Sequence, residues 1–271
     1  MQPLRTPIRV TVIGASGRMG RALVRSVSEF PDLALAGAIV SPGSEALGKD
    51  AAGLAGLRES GLQTTAGLAD ALAASAVAVD FSSAAAVQST VEACSRARCP
   101  LLLGTTGYPA ELEASLAAAS AVIPLLVAPN TSIAVAVLLQ LVRAAAGALP
   151  KQFDIEILEA HHRTKRDAPS GTALALGRAA GEARERQLGQ GATTRGTGPR
   201  GEGEIGYAAL RAGDLVGEHT VLFAGDGERL SLTHQATDRV VFARGALRAA
   251  VWLALQPAGR YSMSDVISSR S

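Results

Sequence analysis

Cysteine, lysine and aromatic residues are all scarce in this chain of 271 residues. The two cysteines, Cys94 and Cys99, lie close together with no second pair. That pattern suits neither a disulfide framework nor a zinc site, so a reducing, cytoplasmic setting and no bound metal are expected. No basic run occurs, and 26 basic against 24 acidic residues leave a net charge of +2. A nucleic-acid groove is therefore not expected. No apolar stretch reaches the roughly 18–20 residues of a membrane-spanning helix. Segments such as 114–128 are broken by Ser120 and Pro124. The first residues lack the apolar core and small-residue cleavage site of a signal peptide. A soluble protein without a membrane partner is the expectation.

Lysine is the oddest shortage. Only Lys49, Lys151 and Lys165 are lysine, and the other 23 basic residues are arginine. Where a plain positive charge suffices, this chain writes arginine, so each remaining lysine poses a question. What is abundant is apolar: 48% of residues are hydrophobic and 18% charged, a balance that excludes intrinsic disorder. The length fits two domains better than one.

Short apolar runs at 8–13, 33–40, 76–81, 100–103 and 122–127 alternate with Ala- and Leu-rich stretches at 18–29, 84–96 and 111–120. The first set has the length and β-branched content of strands buried on both faces, the second of helices. Such alternation predicts βαβ units with right-handed crossovers, an α/β, Rossmann-like doubly wound parallel sheet over residues 1–131. Beyond it the pattern changes. A long helix at 132–149, an alternating strand at 154–160 and a helix at 171–187 come first. Antiparallel strands at 205–211, 219–223 and 229–234 and a helix at 240–255 follow, predicting an α+β domain with an open mixed sheet. The segment 189–206, rich in Gly, Thr and Arg, reads as a functional loop or assembly arm.

The first strand runs into Gly14-Ala15-Ser16-Gly17-Arg18-Met19-Gly20 and then a helix. Glycines there permit a tight turn and bring backbone N–H groups to a pyrophosphate at the helix N-terminus, so a dinucleotide site is expected. With aromatics at 3%, the nucleotide is expected to rest on backbone and small polar groups, with Phe81 the one aromatic beside it. An acidic residue for the adenosine ribose is missing where the second strand ends in Val40-Ser41-Pro42-Gly43-Ser44. A 2′-phosphate would meet no repelling carboxylate, and Ser41, Ser44 and Arg18 are its candidate donors. NADPH is therefore expected to serve at least as well as NADH. Three further strand ends, Asp80-Phe81-Ser82, Gly104-Thr105-Thr106-Gly107 and Ala128-Pro129-Asn130-Thr131, read as a ligand-binding edge or as ordinary capped turns.

The densest chemistry lies in Glu156 to Ala173. That segment holds His161, His162 and Lys165 and ends in Ser170-Gly171-Thr172, which opens a helix. Adjacent histidines diverge on a strand, which disfavours a shared metal. A surface loop is one reading. The other is an acid/base and anion site: histidine gives a proton near neutral pH, and a lysine beside a helix N-terminus clamps a carboxylate.

The motifs GASGRMG, VDFS, GTTG, APNTS, EAHHRTKRDAPSGTA, RAGDLVGEHTV and HQATDRVVFARGAL together resemble the dihydrodipicolinate reductase family, over the whole chain. The resemblance implies NAD(P)H-dependent reduction of a cyclic dicarboxylate in lysine (diaminopimelate) biosynthesis by a homotetramer built through the second domain's sheet. It implies a dinucleotide-binding domain of 1–131 and 240–271 and a substrate-binding and tetramerisation domain of 132–239, hinged near Thr131 and Val240. It places Gly14 to Met19 on the dinucleotide, where the residues themselves already put Ser41 and Phe81. Gly104, Thr105 and Thr106 with Ala128, Pro129, Asn130 and Thr131 line the nicotinamide pocket. His161 becomes the proton donor and Lys165 the second catalytic residue. His162, Lys165, Ser170, Gly171 and Thr172 hold the substrate carboxylates, with Thr106 reaching from the first domain. The chain departs from the family pattern at Ser41-Pro42, where an acidic-then-basic pair is common. Ser16 stands where glycine is frequent, and Thr131 where a larger apolar residue is usual. Two readings compete: another two-domain amino-acid dehydrogenase, and a dinucleotide sensor without catalysis.

Overall fold

The computed structural model describes residues 6–184, 193–194, 199–201 and 203–269. The chain divides into two compact units, Met1–Ile133 with Arg239–Ser271 and Ala134–Asp238.

In the first unit, with elements numbered along the chain, β1 (Ile8–Ile13), α1 (Arg18–Val27), β2 (Leu33–Ile39), α2 (Ala51–Leu54), α3 (Leu68–Ala73), β3 (Val77–Asp80), α4 (Val87–Ala97), β4 (Leu101–Leu103), α5 (Glu113–Ser120) and β5 (Pro124–Val127) succeed one another. The return segment adds α8 (Val240–Leu253), β11 (Gly259–Tyr261) and α9 (Met263–Ser268). The parallel sheet has the order β11-β5-β4-β3-β1-β2. Its strands are apolar on both faces because both are covered. Ala78, Leu101, Leu103 and Leu125 pack with α3, α4 and α5 in one core, while Val77, Val79, Leu102 and Leu126 are equally buried on the other side. There α8 packs against β3, β4, β5 and α1. Each fully buried leucine contributes roughly 1.5–3 kcal/mol. The edge strand β11 and the short helices α2, α3 and α9 were not among the expected elements, being too short to show a period.

The second unit begins with α6 (Ile133–Ala148), β6 (Asp154–His161) and α7 (Gly171–Ala183), and continues with β7 (Thr193–Thr194), β8 (Ile205–Arg211), β9 (Gly217–Ala224) and β10 (Arg229–Ala236). Its sheet is mixed, in the order β10-β9-β6-β8-β7. A mixed sheet was the expectation; what is corrected is the pairing of the three strands read as antiparallel. Only β9 and β10 pair that way; β6 lies between β8 and β9, parallel to the first and antiparallel to the second. The cause is β6 itself, whose strict alternation buries one whole face, Ile155 and Ile157 followed by Glu159 and His161, and so gives it the central place. The connection 212–216 then steps over the end of β6 instead of closing a hairpin, and Ala212 N–H donates to the His161 carbonyl at 2.9 Å.

Half of the segment 189–206 lies outside the described residues, as do 185–187 at the end of the expected helix. Among the described residues no helix is long and apolar enough to cross a membrane.

Candidate active site

In the first unit the strand order reverses at β1, so a crevice opens beyond the carboxyl ends of β1 and β3. The glycine-rich turn is built into it. Gly14 has φ of 82°, and its N–H and that of Ala15 both donate to the Ile39 carbonyl at 2.9 Å. A Cβ at Gly14 would meet the Phe81 carbonyl at 2.5 Å, and one at Gly20 would collide with the backbone of Gly14 and Ala15. Strand, turn and helix therefore approach as closely as only glycine allows. Gly17 caps α1, whose first turn carries no acidic residue.

A cavity of about 670 Å³ follows, lined by Gly14, Ser16, Gly17, Ser41, Pro42 and Phe81 among others. Ala15, Arg18 and Met19 are not part of that lining, and Arg18 is exposed. Among the residues lining it there is no carboxylate and one cation, Arg96.

At the neighbouring strand ends the Phe81 ring packs against Gly104, and Gly104 N–H donates to the Asp80 carbonyl at 2.9 Å. Asp80, fully buried, accepts from Ser82 N–H at 2.8 Å and from the Thr105 hydroxyl at 3.3 Å. Burial raises its pKa against those hydrogen bonds. Thr106 is exposed, and Ala128 is buried beside the exposed Pro129 and half-buried Asn130. Thr131 is 1% exposed, and its hydroxyl donates to the Phe242 carbonyl at 2.7 Å, inside the same unit.

In the second unit the inner face of the sheet changes character from row to row. Ile155 and Phe223, then Ile157, Tyr207 and Val221, join the apolar core with α7. The next row is His234, His219 and Glu159, opposite one another across β10, β9 and β6. His161 follows two residues on, on the same face and buried.

Glu159 is the hub of this polar end. Arg211 donates to both its oxygens, at 2.9 and 2.7 Å, and Ser170 N–H to Oε1 at 3.2 Å. His161 Nδ1 lies in a short hydrogen bond with Oε2. Burial pushes the Glu159 pKa up, but the bonds from Arg211 and His161 outweigh it and hold the carboxylate below its ordinary value. Burial also lowers the His161 pKa, with Glu159 opposing and Lys165 and Arg211 assisting. His219 meets the His161 ring edge-on at 5.1 Å, and its Nε2 shares a 3.0 Å hydrogen bond with Ser170 Oγ. Burial takes the pKa of His219 down to about 4.

The rest of the predicted cluster lies on the loop leaving β6. Lys165 Nζ donates to both Asp167 oxygens at 2.8 Å, and His162 Nδ1 is 2.8 Å from the Thr164 hydroxyl. Ser170 caps α7, accepting from Ala173 N–H at 3.2 Å, so its buried hydroxyl faces inward. Gly171 is exposed and Thr172 half-buried at the start of a helix without acidic residues in its first turn, an arrangement suited to anions. Glu159, Arg211 and His219 were not singled out from sequence. Glu159 was within reach, two residues before His161 on an alternating strand; Arg211 and His219 required the strand pairing.

The fold, with its glycine-rich first turn, defines a two-domain oxidoreductase dependent on a nicotinamide dinucleotide. Family models described as dihydrodipicolinate reductase, N-terminus and C-terminus, match residues 8–131 and 134–267. The chain is 47% identical over 265 residues to 4-hydroxy-tetrahydrodipicolinate reductase of Anaeromyxobacter dehalogenans, covering 97% of this chain and 98% of the relative. It is also 47% identical over 264 residues to the reductase of the same name from Rubrobacter xylanophilus, covering 97% and 99%. Its fold matches the dipicolinate-bound dihydrodipicolinate reductase of Paenisporosarcina sp. TG-14 at a TM-score of 0.75 with 23% identity, covering 95% and 98% of the two chains. The chain belongs to the dihydrodipicolinate reductase family.

Proposed function

We infer that this chain reduces 4-hydroxy-tetrahydrodipicolinate to tetrahydrodipicolinate with NADH or NADPH, a step of lysine (diaminopimelate) biosynthesis. The observation that carries the reading is the buried His161 beside Lys165 and an anion-suited helix start, in a chain of this family. The first unit fits a dinucleotide: Gly14, Ser16 and Gly17 leave the N-terminus of α1 open to a pyrophosphate, and no lining carboxylate repels it. When bound, the nicotinamide supplies a hydride. Gly104, Thr105 and Thr106 with Ala128 to Thr131 border the nicotinamide end, Thr105 being fixed there through Asp80.

In the second unit His161 delivers a proton to the electrons that reduction leaves on the substrate. Lys165, His162 and the Ser170-Gly171-Thr172 turn hold the carboxylates, the turn through backbone N–H groups beyond that of Ser170, which donates to Glu159. Residues 132–239 thus form the substrate-binding domain, and 1–131 with 240–271 the dinucleotide domain.

The test is the loss of reduced-nicotinamide absorbance with the freshly prepared condensation product of pyruvate and aspartate semialdehyde. Turnover is expected with either cofactor, with kcat/KM for NADPH at least equal to that for NADH. Ser41 and Pro42 provide no negative charge against a 2′-phosphate, and Arg96 is the cation of that cavity. A large preference for NADH sinks the cofactor reading, and no turnover at all sinks the function.

The outward face of the second sheet supports a homotetramer. Leu158 is 44% and Leu210 55% exposed, on the same face of the paired strands β6 and β8. Light scattering behind size exclusion is expected to give four times the 27.5 kDa chain mass. A monomer would contradict it.

A further inference from the structure

Glu159 is a carboxylate 3% exposed, and it is bonded on every side: to the Arg211 fork, to Ser170 N–H and to His161. Removing a carboxylate from water is costly unless it is paired, and here the pairing is bidentate, the strong geometry for arginine. Arg211 is itself anchored, donating to the Asp167 carbonyl at 2.7 Å. The arrangement therefore presents one oxygen to His161 from a rigid mount.

We propose that Glu159, held by Arg211, is a positioning residue that fixes the His161 proton on Nδ1 and so reserves Nε2 for proton exchange with the substrate. The inference rests on the reading of His161 as the proton donor. An ionised carboxylate only accepts hydrogen bonds, so Nδ1 facing it is the donor, and the neutral ring is bare at Nε2. Nε2 in turn faces Gly217, where an added Cβ would stand 3.2 Å away. A side chain at that row would crowd the exchanging nitrogen; glycine does not.

The groups facing the ring act in known directions. Burial, Lys165 and Arg211 favour loss of the proton, and Glu159 favours its retention. His219, behind the ring on β9, is kept neutral by burial, and His234 lies beyond it on β10. Glu159 is thus the one group among these that raises the proton affinity of His161.

The test titrates His161 by nuclear magnetic resonance in the full chain without substrate or cofactor, alongside the pH dependence of kcat/KM. In Glu159→Gln the titration and the alkaline limb of activity both move to lower pH, by about 1 pH unit. Its kcat falls about 10- to 100-fold, the range for loss of a group that orients a functional histidine, while KM for the dinucleotide stays the same. In Arg211→Met the carboxylate remains and a cation is lost, so the titration moves to higher pH. Opposite shifts from two members of one bonded chain are not produced by loosened packing. An unmoved His161 titration in Glu159→Gln, or shifts of the same sign in both variants, overturns the proposal. Should Glu159→Gln fail to fold, Arg211→Met and the wild-type tautomer decide, and a neutral ring protonated on Nε2 overturns it. A wild-type chain without reductase turnover would instead refute the function, since the titration is read without substrate.

Discussion

Replacing His161 by glutamine is expected to lower kcat about 10²- to 10⁴-fold, the usual contribution of a positioned general acid. The fold and the affinity for the dinucleotide should stay nearly unchanged. Burial already lowers the His161 pKa, so the resting ring is largely neutral near pH 7 and a neutral amide replaces it without adding or removing charge. Glutamine also offers an N–H to Glu159, which keeps its bonds to Arg211 and Ser170. What it cannot do is release a proton. The loss corresponds to about 3–5 kcal/mol of barrier. The sign of the pH dependence follows from the role: the acid is the protonated ring, so wild-type kcat/KM falls as pH rises through the His161 pKa. Because that pKa is lowered, the fall begins at lower pH than an exposed histidine would give. In His161→Gln this limb should vanish. Steady-state kinetics across pH, with dinucleotide binding and thermal unfolding as controls, decide the matter. Near wild-type turnover would remove His161 from the mechanism.

The parallel sheet was legible because its signal is local. Runs such as Leu101–Leu103 and Pro124–Val127 are apolar throughout, as strands covered on both faces must be, and the turn from Gly14 joins strand to helix in a way few other turns do. The second sheet was legible only strand by strand. Alternation along β6 and β9 gives each strand but not its neighbour, and the short connection 212–216 imitated a hairpin while crossing the end of β6. The edge strand β11 has three residues, too few for any period to speak.

The site divides in the same way. His161, Lys165 and Ser170 were conspicuous because they are crowded into one segment. Glu159 sits in that segment too, yet reads in sequence as one more charged residue of an alternating strand. It gains meaning once Arg211, 52 positions later, is seen to bind it from the adjacent strand β8. Arg211 in turn looks like any of the many arginines of the chain until its partner is known. Conversely Thr131 and Ser170, both expected to face a ligand, turn their hydroxyls to protein groups. Small polar residues at strand ends and helix starts serve structure and binding with the same atoms, and sequence does not separate the two uses.

Replacing Lys165 by alanine is expected to lower both kcat and kcat/KM, the latter by at least about 10²-fold. A hydrogen bond to a charged partner is worth about 1.5–3 kcal/mol, and a second effect adds to its loss. Lys165 Nζ neutralises Asp167, whose pKa burial would raise but the ammonium holds down. Without it, a bare carboxylate remains where a dicarboxylate must bind, so attraction is replaced by repulsion. Asp167→Asn in the Lys165→Ala background should therefore recover part of the substrate affinity, a coupling that a simple packing defect does not predict. Lys165→Arg should recover little. Its planar fork carries the same charge, but it is matched to bidentate partners and differs in reach from a compact ammonium. That distinction gives the scarcity of lysine its physical content. A chain that uses 23 arginines and three lysines keeps Lys165 beside His161, where a point charge on a flexible stem must follow a substrate carboxylate. If Lys165→Arg turned over substrate like the wild type, charge alone would be the requirement and the retained lysine would carry no chemical meaning.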